Sequence, residues 1–308
     1  MISIGTHSLW VSISGVSSQP QDPIVVILTG AGDVASSYTV VERLVAPFAS
    51  ILLYDRSGLG RSEAGPNRAT ATTAATEVHA LLEAAHISQP LLLVGHSYGG
   101  IVAREYLHLH PERVAGMVLS ESSTERQSKY FQVPDPNINA VLGDLNFAQV
   151  TGLRADSKLS RDEWRTRAID ISKGHAAAHA EAAAFVEVCE TLGAKEQYKN
   201  RALGDKPLSV IRCNSSREYE RIYEHGVKVG NGTEEERKSF RRLLDRWEEL
   251  DQEIKEEQLH LSSNSRLVHV LDCGHYVHLT RPDVVAEEIR WVKDQISGKD
   301  SSISNSCL

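Results

Sequence analysis

The sequence predicts an α/β fold: a mostly parallel sheet with helices on both faces, interrupted once by a helical insertion. Three observations lead there. Apolar runs of strand length alternate with segments of helical periodicity up to Leu119, a rhythm that builds parallel sheets whose sites lie at the carboxyl ends of the strands. One run, Leu91 to Val94, breaks directly into Gly95-His96-Ser97-Tyr98-Gly99-Gly100, a G-x-S-x-G pattern that lifts a serine onto the strained turn between strand and helix. The rhythm then stops between Ser122 and Lys206 and resumes at Pro207.

In chain order, residues 7–14 alternate apolar and polar and predict a half-buried antiparallel strand, followed by a surface turn through Pro20 and Pro23. Ile24 to Leu28 is continuously apolar and rich in β-branched residues, the pattern of a strand covered on both faces. It ends in Thr29-Gly30-Ala31-Gly32-Asp33, a glycine-rich loop able to present unpaired backbone N–H groups. Residues 50–54 predict the next buried strand and lead into Asp55-Arg56-Ser57-Gly58-Leu59-Gly60-Arg61-Ser62. Ala75, Val78, Leu82 and Ala85 then recur at helical spacing before Pro90 opens the strand that carries the serine. Ile101 to His110 is a helix stopped by Pro111, and Val114 to Leu119 is one more apolar strand.

The insertion holds no strand-like run. Its PDPNIN segment predicts a loop, and Trp164 to Gly193, rich in Ala, Glu and Arg, predicts two or three helices. Strands resume at Pro207 to Ile211 and Arg266 to Leu271, and a last helix follows Pro282 with Val285, Ile289 and Val292 on one face. Between those strands, Phe240, Leu243, Leu244, Trp247, Leu250 and Ile254 fall on one helical face, predicting a solvated helix packed on the sheet. The tail from Gly298 is polar, and frayed structure is expected there.

With 308 residues, 41% hydrophobic and 24% charged, and a net charge of −8, the chain is long enough for one large core and has no basic patch for nucleic acid or anionic membrane. The N-terminus lacks a signal-peptide pattern and no apolar run approaches the ~18 residues of a membrane span, so a cytoplasmic location is expected. Cys189, Cys213, Cys273 and Cys307 show no metal-ligand spacing and are expected to be reduced thiols. Ser306-Cys307-Leu308 lacks the basic residue of a peroxisomal signal.

A serine hydroxyl is a poor nucleophile unless a base lies within hydrogen-bond reach and a carboxylate orients that base. Of 13 histidines, His275 is the best placed, in the loop Asp272-Cys273-Gly274-His275 that leaves the carboxyl end of a predicted strand. His278 is a weaker candidate, and His96 is directed away from the neighbouring hydroxyl.

The TGAG loop, the DRSGLGRS turn, GHSYGG, HPERVAGMVL and GHYVHLTRPDVV occur in an order and spacing that resembles the α/β-hydrolase superfamily over nearly the whole chain outside residues 123–206. The resemblance implies an eight-stranded, mostly parallel sheet in a core made of residues 1–122 and 207–308, with 123–206 as a helical cap. It implies Ser97 as nucleophile, His275 as general base and the backbone amides of Ala31 and Tyr98 as the oxyanion hole, with no metal and no cofactor. A serine at the nucleophile position sets the chain apart from the dehalogenase and epoxide-hydrolase branches, which use aspartate.

Two positions depart from the pattern. Thr29 stands where many members carry histidine, and Ser216 occupies, by spacing, the usual place of the triad acid. A serine cannot stabilise an imidazolium as a carboxylate can. The acid is therefore assigned to Glu121, two residues past the Val114–Leu119 strand and on the side of the sheet where the serine emerges. Glu218 is the runner-up, reachable through a longer loop, whereas Asp272 lies too close to His275 in the same loop.

The expected activity is hydrolysis of an ester or lactone of a small organic molecule through an acyl-enzyme. Carbon–carbon bond cleavage or a cyclase or lyase step on the same site is one alternative, and a ligand receptor with little turnover is another. Phe131, Phe147, Trp164 and Phe185 are either pocket-lining or core residues of the cap. Substrate identity and oligomeric state are not encoded in any motif.

Overall fold

The structure, a computed structural model, describes residues 1–17, 19 and 21–298; the expectations for the tail, for Cys307 and for the terminal tripeptide lie outside the described residues. The strands are β1 (Ile2–Ser3), β2 (Ser8–Leu9), β3 (Val11–Ser14), β4 (Ile24–Leu28), β5 (Ile51–Tyr54), β6 (Leu91–His96), β7 (Val114–Ser120), β8 (Leu208–Cys213) and β9 (Ser265–Val270). Seven of them form the main sheet in the order β3-β5-β4-β6-β7-β8-β9. β3 runs antiparallel to β5 and every other pairing is parallel.

The eighth strand implied by the family resemblance is absent from this sheet among the described residues. The chain turns at Gly5, so that Ile2 pairs with Leu9 and Ser3 with Ser8 in a separate two-stranded ribbon. The predicted strand over 7–14 is accordingly split at Trp10, and only its second half reaches the sheet.

On β4, Ile24, Val26 and Leu28 join the apolar cluster on one face, while Val25 and Ile27 join the cluster on the other. This two-residue alternation is why both faces of a continuously apolar strand need cover. Helices α1 (Thr39–Val45), α2 (Ala71–Ala84), α3 (Tyr98–Leu109) and α13 (Pro282–Ile296) supply it: α2 and α3 on the first face, α1 and α13 on the second.

Residues 123–206 fold as α4 (Gln127–Tyr130), α5 (Pro136–Leu142), α6 (Phe147–Val150), α7 (Leu153–Asp156), α8 (Arg161–Lys173) and α9 (His175–Gly193). The PDPNIN segment, expected as a loop, is helical from Pro136 onward. Asp135 accepts hydrogen bonds from the Asn137 and Ile138 amides as N-cap, and Pro136 occupies the first turn, where its missing N–H costs nothing.

After β8 come α10 (Ser216–Lys228) and α11 (Glu234–Glu257), and α12 (Val277–Thr280) follows β9. The apolar face of α11 does not lie on the sheet as its pattern had suggested. Phe240, Leu244, Trp247, Leu250 and Ile254 pack with Phe131, Val141 and Ile222 in a third cluster, separate from the two on the sheet faces. The helical layer thus draws on chain from both sides of β8. No helix among the described residues is long and apolar enough to cross a membrane.

Candidate active site

Ser97 follows β6 with φ 52° and ψ −122°, left-handed backbone that a serine adopts only under constraint. Its amide donates to Ser120 O on β7 (3.2 Å), and its carbonyl accepts from Gly100 N (3.0 Å) and Ser123 N (3.0 Å). Behind it, a Cβ on Gly99 would stand 1.9 Å from Leu28 O, so only glycine lets α3 cross the end of β4 this closely. The turn is therefore held by backbone, and the hydroxyl has no hydrogen-bond partner among the described residues.

His275 follows β9 and presents Nδ1 to Glu121 Oε2 at 3.3 Å. Glu121, one residue past β7, also has left-handed backbone (φ 47°), and its Oε1 accepts from the Cys213 amide at 2.6 Å. The His275 side chain is 28% exposed and that of Glu121 1%, so the imidazole is open to a reactant while the carboxylate is sealed beneath it. Burial pushes the Glu121 carboxyl up, but the Lys255 ammonium, the His275 hydrogen bond and the Cys213 N–H outweigh it and hold the group below its ordinary value. Glu121 is therefore ionised at neutral pH.

The runner-up carboxylate is close by with a different partner. Glu218 Oε2 accepts from the His275 backbone amide at 3.0 Å, and burial raises its carboxyl above the ordinary value. Asp272 faces away, paired with Arg281 at 2.7 Å, and Ser216 bonds Asn214 Oδ1 at 2.8 Å. Hence Glu121, alone among these four, contacts the imidazole nitrogen.

Backbone N–H groups at Ala31 and Tyr98 have no acceptor among the described residues. Their loops adjoin the serine: a Cβ on Gly30 would lie 3.4 Å from Ser97 Cβ. A buried ion pair fixes the Ala31 loop. Arg56, from the DRSGLGRS turn, donates to Thr29 O (2.7 Å) and Gly30 O (2.6 Å) and pairs with Glu181 of α9 at 2.7 Å. Glu181 Oε2 in turn accepts from Gly32 N at 2.8 Å. Burial alone would lower the Arg56 value, and the Glu181 carboxylate more than reverses it.

His96 lies buried under the elbow and donates through Nε2 to the carbonyl of His275 at 2.9 Å. Burial first, then the nearby His278 and His275, hold His96 neutral. His278 stacks on Tyr38 with ring centroids 4.3 Å apart and places Nε2 3.3 Å from Asp33 Oδ2. Asp33, His96 and His278 are the one group among the described residues whose metal-ligand atoms gather, all within 4.8 Å of one another. The Arg167 guanidinium 3.7 Å from Asp33 and the His278 contact already balance that carboxylate, so the group is read as a buried polar network linking three loops of the site.

A cavity of about 100 Å³ opens beside Glu121 and His275, lined among others by Phe131, Tyr219, Trp247 and Lys255. Of the four aromatics singled out between residues 123 and 206, only Phe131 reaches it; Phe185 is sheet-side core, and Phe147 and Trp164 pack around Leu153, Leu159 and Leu279. The described cysteines are all free and buried, with Cys213 and Cys273 Sγ atoms 3.4 Å apart. Sequence reasoning passed over Lys255, Glu181 and Asp33. For Lys255 a signal existed: Asp251 and Lys255 interrupt the apolar face of α11 at core spacing, where a charge must have a buried partner.

A parallel sheet bearing a serine elbow and a histidine loop at its carboxyl edge defines the α/β-hydrolase architecture. Residues 25–288 match the model of the family described as "Alpha/beta hydrolase family", and the chain belongs to that family. It is 29% identical over 296 residues to an "AB hydrolase superfamily protein" of Gibberella zeae, covering 92% of this chain and 90% of that protein. It is 31% identical over 308 residues to a Hormonema carpetanum protein named "Probable transporter efuK", covering 98% of this chain but 43% of that protein, so it spans less than half of that relative's length. Among solved structures, a thermophilic esterase from Thermogutta terrifontis superposes with a TM-score of 0.61 at 15% identity, covering 94% of both chains. At that identity the likeness is one of fold.

Proposed function

We propose that the protein is a serine hydrolase that cleaves an ester or lactone of a small organic molecule through an acyl-enzyme. The observation carrying this reading is the contact of ionised Glu121 with His275 Nδ1 in a loop beside a serine on strained, left-handed backbone. A carboxylate at Nδ1 fixes the tautomer whose Nε2 is unprotonated and basic. Ser97 attacks the carbonyl carbon as His275 takes its proton. The tetrahedral oxyanion lies against the free amides of Ala31 and Tyr98, and His275 returns the proton to the leaving alcohol. Water then repeats the sequence on the acyl group and releases the acid.

Residues 123–206 act as the cap over this site, with α10 and α11 completing the same layer. The contact of Glu181 with the Ala31 loop and the shared apolar cluster of α5, α10 and α11 support that assignment. No step draws on a metal or cofactor. The Gibberella zeae relative is a hydrolase-superfamily protein by name, and one protein of the same fold is an esterase.

The test is labelling with a fluorophosphonate together with a panel of esters and lactones. Labelling is expected at Ser97, with turnover lost in Ser97→Ala while the fold remains, because the elbow's strain rests on backbone contacts and not on the hydroxyl. Full esterase activity in purified Ser97→Ala would refute the mechanism.

A further inference from the structure

We propose that Lys255, far along the chain from the elbow on α11, is a positioning residue for the Glu121–His275 pair, holding the carboxylate as an anion while weakening its grip on a protonated imidazole. The inference rests on the hydrolase reading for its link to turnover, and on geometry alone for its effect on His275. Lys255 is 3% exposed, and its Nζ lies 3.9 Å from Glu121 Oε2, the same oxygen that faces His275 Nδ1 at 3.3 Å. It donates one hydrogen bond to the carbonyl of Ser122 at 3.0 Å, and Gln258 of the following turn reaches the same carbonyl at 3.4 Å. The ammonium thus grips the chain immediately after Glu121 and sets its charge beside the carboxylate without competing for it by a direct hydrogen bond.

Buried charges need partners, and the set around this site can be followed group by group. From α11, Asp251 lies 3.7 Å from Lys255 and is itself bonded to Arg212 of β8 at 3.0 Å. From β8 and the base loop come the Cys213 and Cys273 thiols, the former pushed well up by burial and by its neighbours. From α10 come Glu218, on the backbone of His275, and Arg217 and Tyr219, which act on or near it. His96 and His278 face His275 from below, and Tyr276 adjoins it in sequence. Within this set Lys255 is the cation nearest the oxygen that orients the imidazole.

The consequence is one of sign. A histidine that must serve as a base near neutral pH is useless while protonated, and a fully buried carboxylate at its Nδ1 favours the protonated form. A positive charge on the far side of the same oxygen opposes that bias. The ammonium and the imidazole are separated by no more than the two contacts laid end to end, about 7 Å, and even at that distance unit charges at an effective dielectric of about 20 interact by the equivalent of about 1.7 pH units. Asp251 offsets part of this, leaving about one unit.

The experiment follows the His275 imidazole of the full-length protein by NMR, its resonance assigned by its loss in His275→Gln, alongside the pH dependence of kcat/KM. In Lys255→Met the His275 midpoint is expected about one pH unit above wild type, the acid limb of kcat/KM should move with it, and Lys255→Arg should restore both. A folded Lys255→Met with an unmoved midpoint overturns the proposal and leaves Lys255 a merely structural ion. If Lys255→Met does not fold, Asp251→Asn decides: removing the offsetting carboxylate should shift the midpoint downward, and no shift overturns the proposal. The midpoint is read without substrate, so absence of Ser97-dependent turnover would count against the hydrolase reading alone.

Discussion

Replacing Glu121 by glutamine changes one atom and leaves the shape of the site intact, and the structure dictates how the new amide must sit. Oε1 accepts the Cys213 N–H at 2.6 Å, a bond that an NH2 group cannot make. The amide oxygen therefore takes that side, and the NH2 faces His275 Nδ1 across the 3.3 Å contact. Facing a donor, Nδ1 must accept, so the imidazole proton moves to Nε2, the nitrogen that should receive the proton of Ser97. The base is then present in the wrong tautomer. In a serine triad that error costs roughly 10⁴ in kcat, or about 5.4 kcal/mol at about 1.36 kcal/mol per decade. The assay is kcat and KM on a chromogenic ester for Glu121→Gln beside Glu218→Gln. Glu218 touches only the backbone amide of His275, so its amide variant should lose at most a few fold. A loss of less than about tenfold in Glu121→Gln, with a collapse in Glu218→Gln, would return the acid to the usual strand and refute the reasoning.

Three further outcomes follow from the same geometry. His275→Ala should lose as much turnover as Ser97→Ala, and the double variant should be no worse than either, because the two act as a unit; multiplied losses would show that they act separately. Glu181→Gln removes the charge that partners buried Arg56 and should cost about 3 kcal/mol of stability by chemical denaturation, and Glu181→Ala at least as much; a loss under about 0.5 kcal/mol would mean that the pair does not tie α9 to the core. Burial lowers the values of both His96 and His278, that of His96 well below its ordinary value, so the unfolded chain binds protons that the folded chain refuses. Stability should then fall as pH drops below about 6.5, by about 1 kcal/mol between pH 6.5 and 5.5 from His96 with His278 adding to it, and by less in His278→Asn; equal urea midpoints at the two pH values would contradict it.

Local signals in the sequence reached as far as local structure goes. The strands of the main sheet from β4 onward are short, predominantly apolar runs bounded by turn residues, so the apolar pattern located β4 to β9, and the Gly-x-Ser-x-Gly turn named its own element. Glu121 could be reached because parallel strands end on one edge, which makes the residue after β7 a neighbour of whatever follows β6. What escaped depends on partners distant in sequence. The apolar stripe of α11 told that one face is buried but not that α5 and α10, and not the sheet, would cover it. The ribbon of β1 and β2 is two residues wide, too short for any alternation to register. Asp33, Glu181 and Lys255 carry charges that composition assigns to the surface, and each is buried only because a partner far along the chain meets it.

The alanine-rich helix α9 shows why such pairings leave a trace that is readable once the fold is known. Its small residues read as helix propensity, yet two of them meet glycines of the core: a Cβ on Gly32 would come within 2.8 Å of Ala178, and one on Gly58 within 3.0 Å of Ala177. Both glycines have left-handed backbone (φ 64° and 76°), so neither loop could carry a larger residue, and any side chain longer than alanine on this face of α9 would lift the helix away. That close approach is what brings Glu181, one turn further on, within 2.8 Å of the Gly32 amide and onto Arg56. Bulk on α9 and charge at Glu181 are therefore one design: the alanines set the distance and the carboxylate uses it to fix the loop that presents Ala31. Ala178→Leu should disturb that loop as much as losing Glu181 does, although leucine forms helix as readily. An Ala178→Leu protein with unchanged ester turnover and unchanged stability would separate the helix from the loop and sink the coupling.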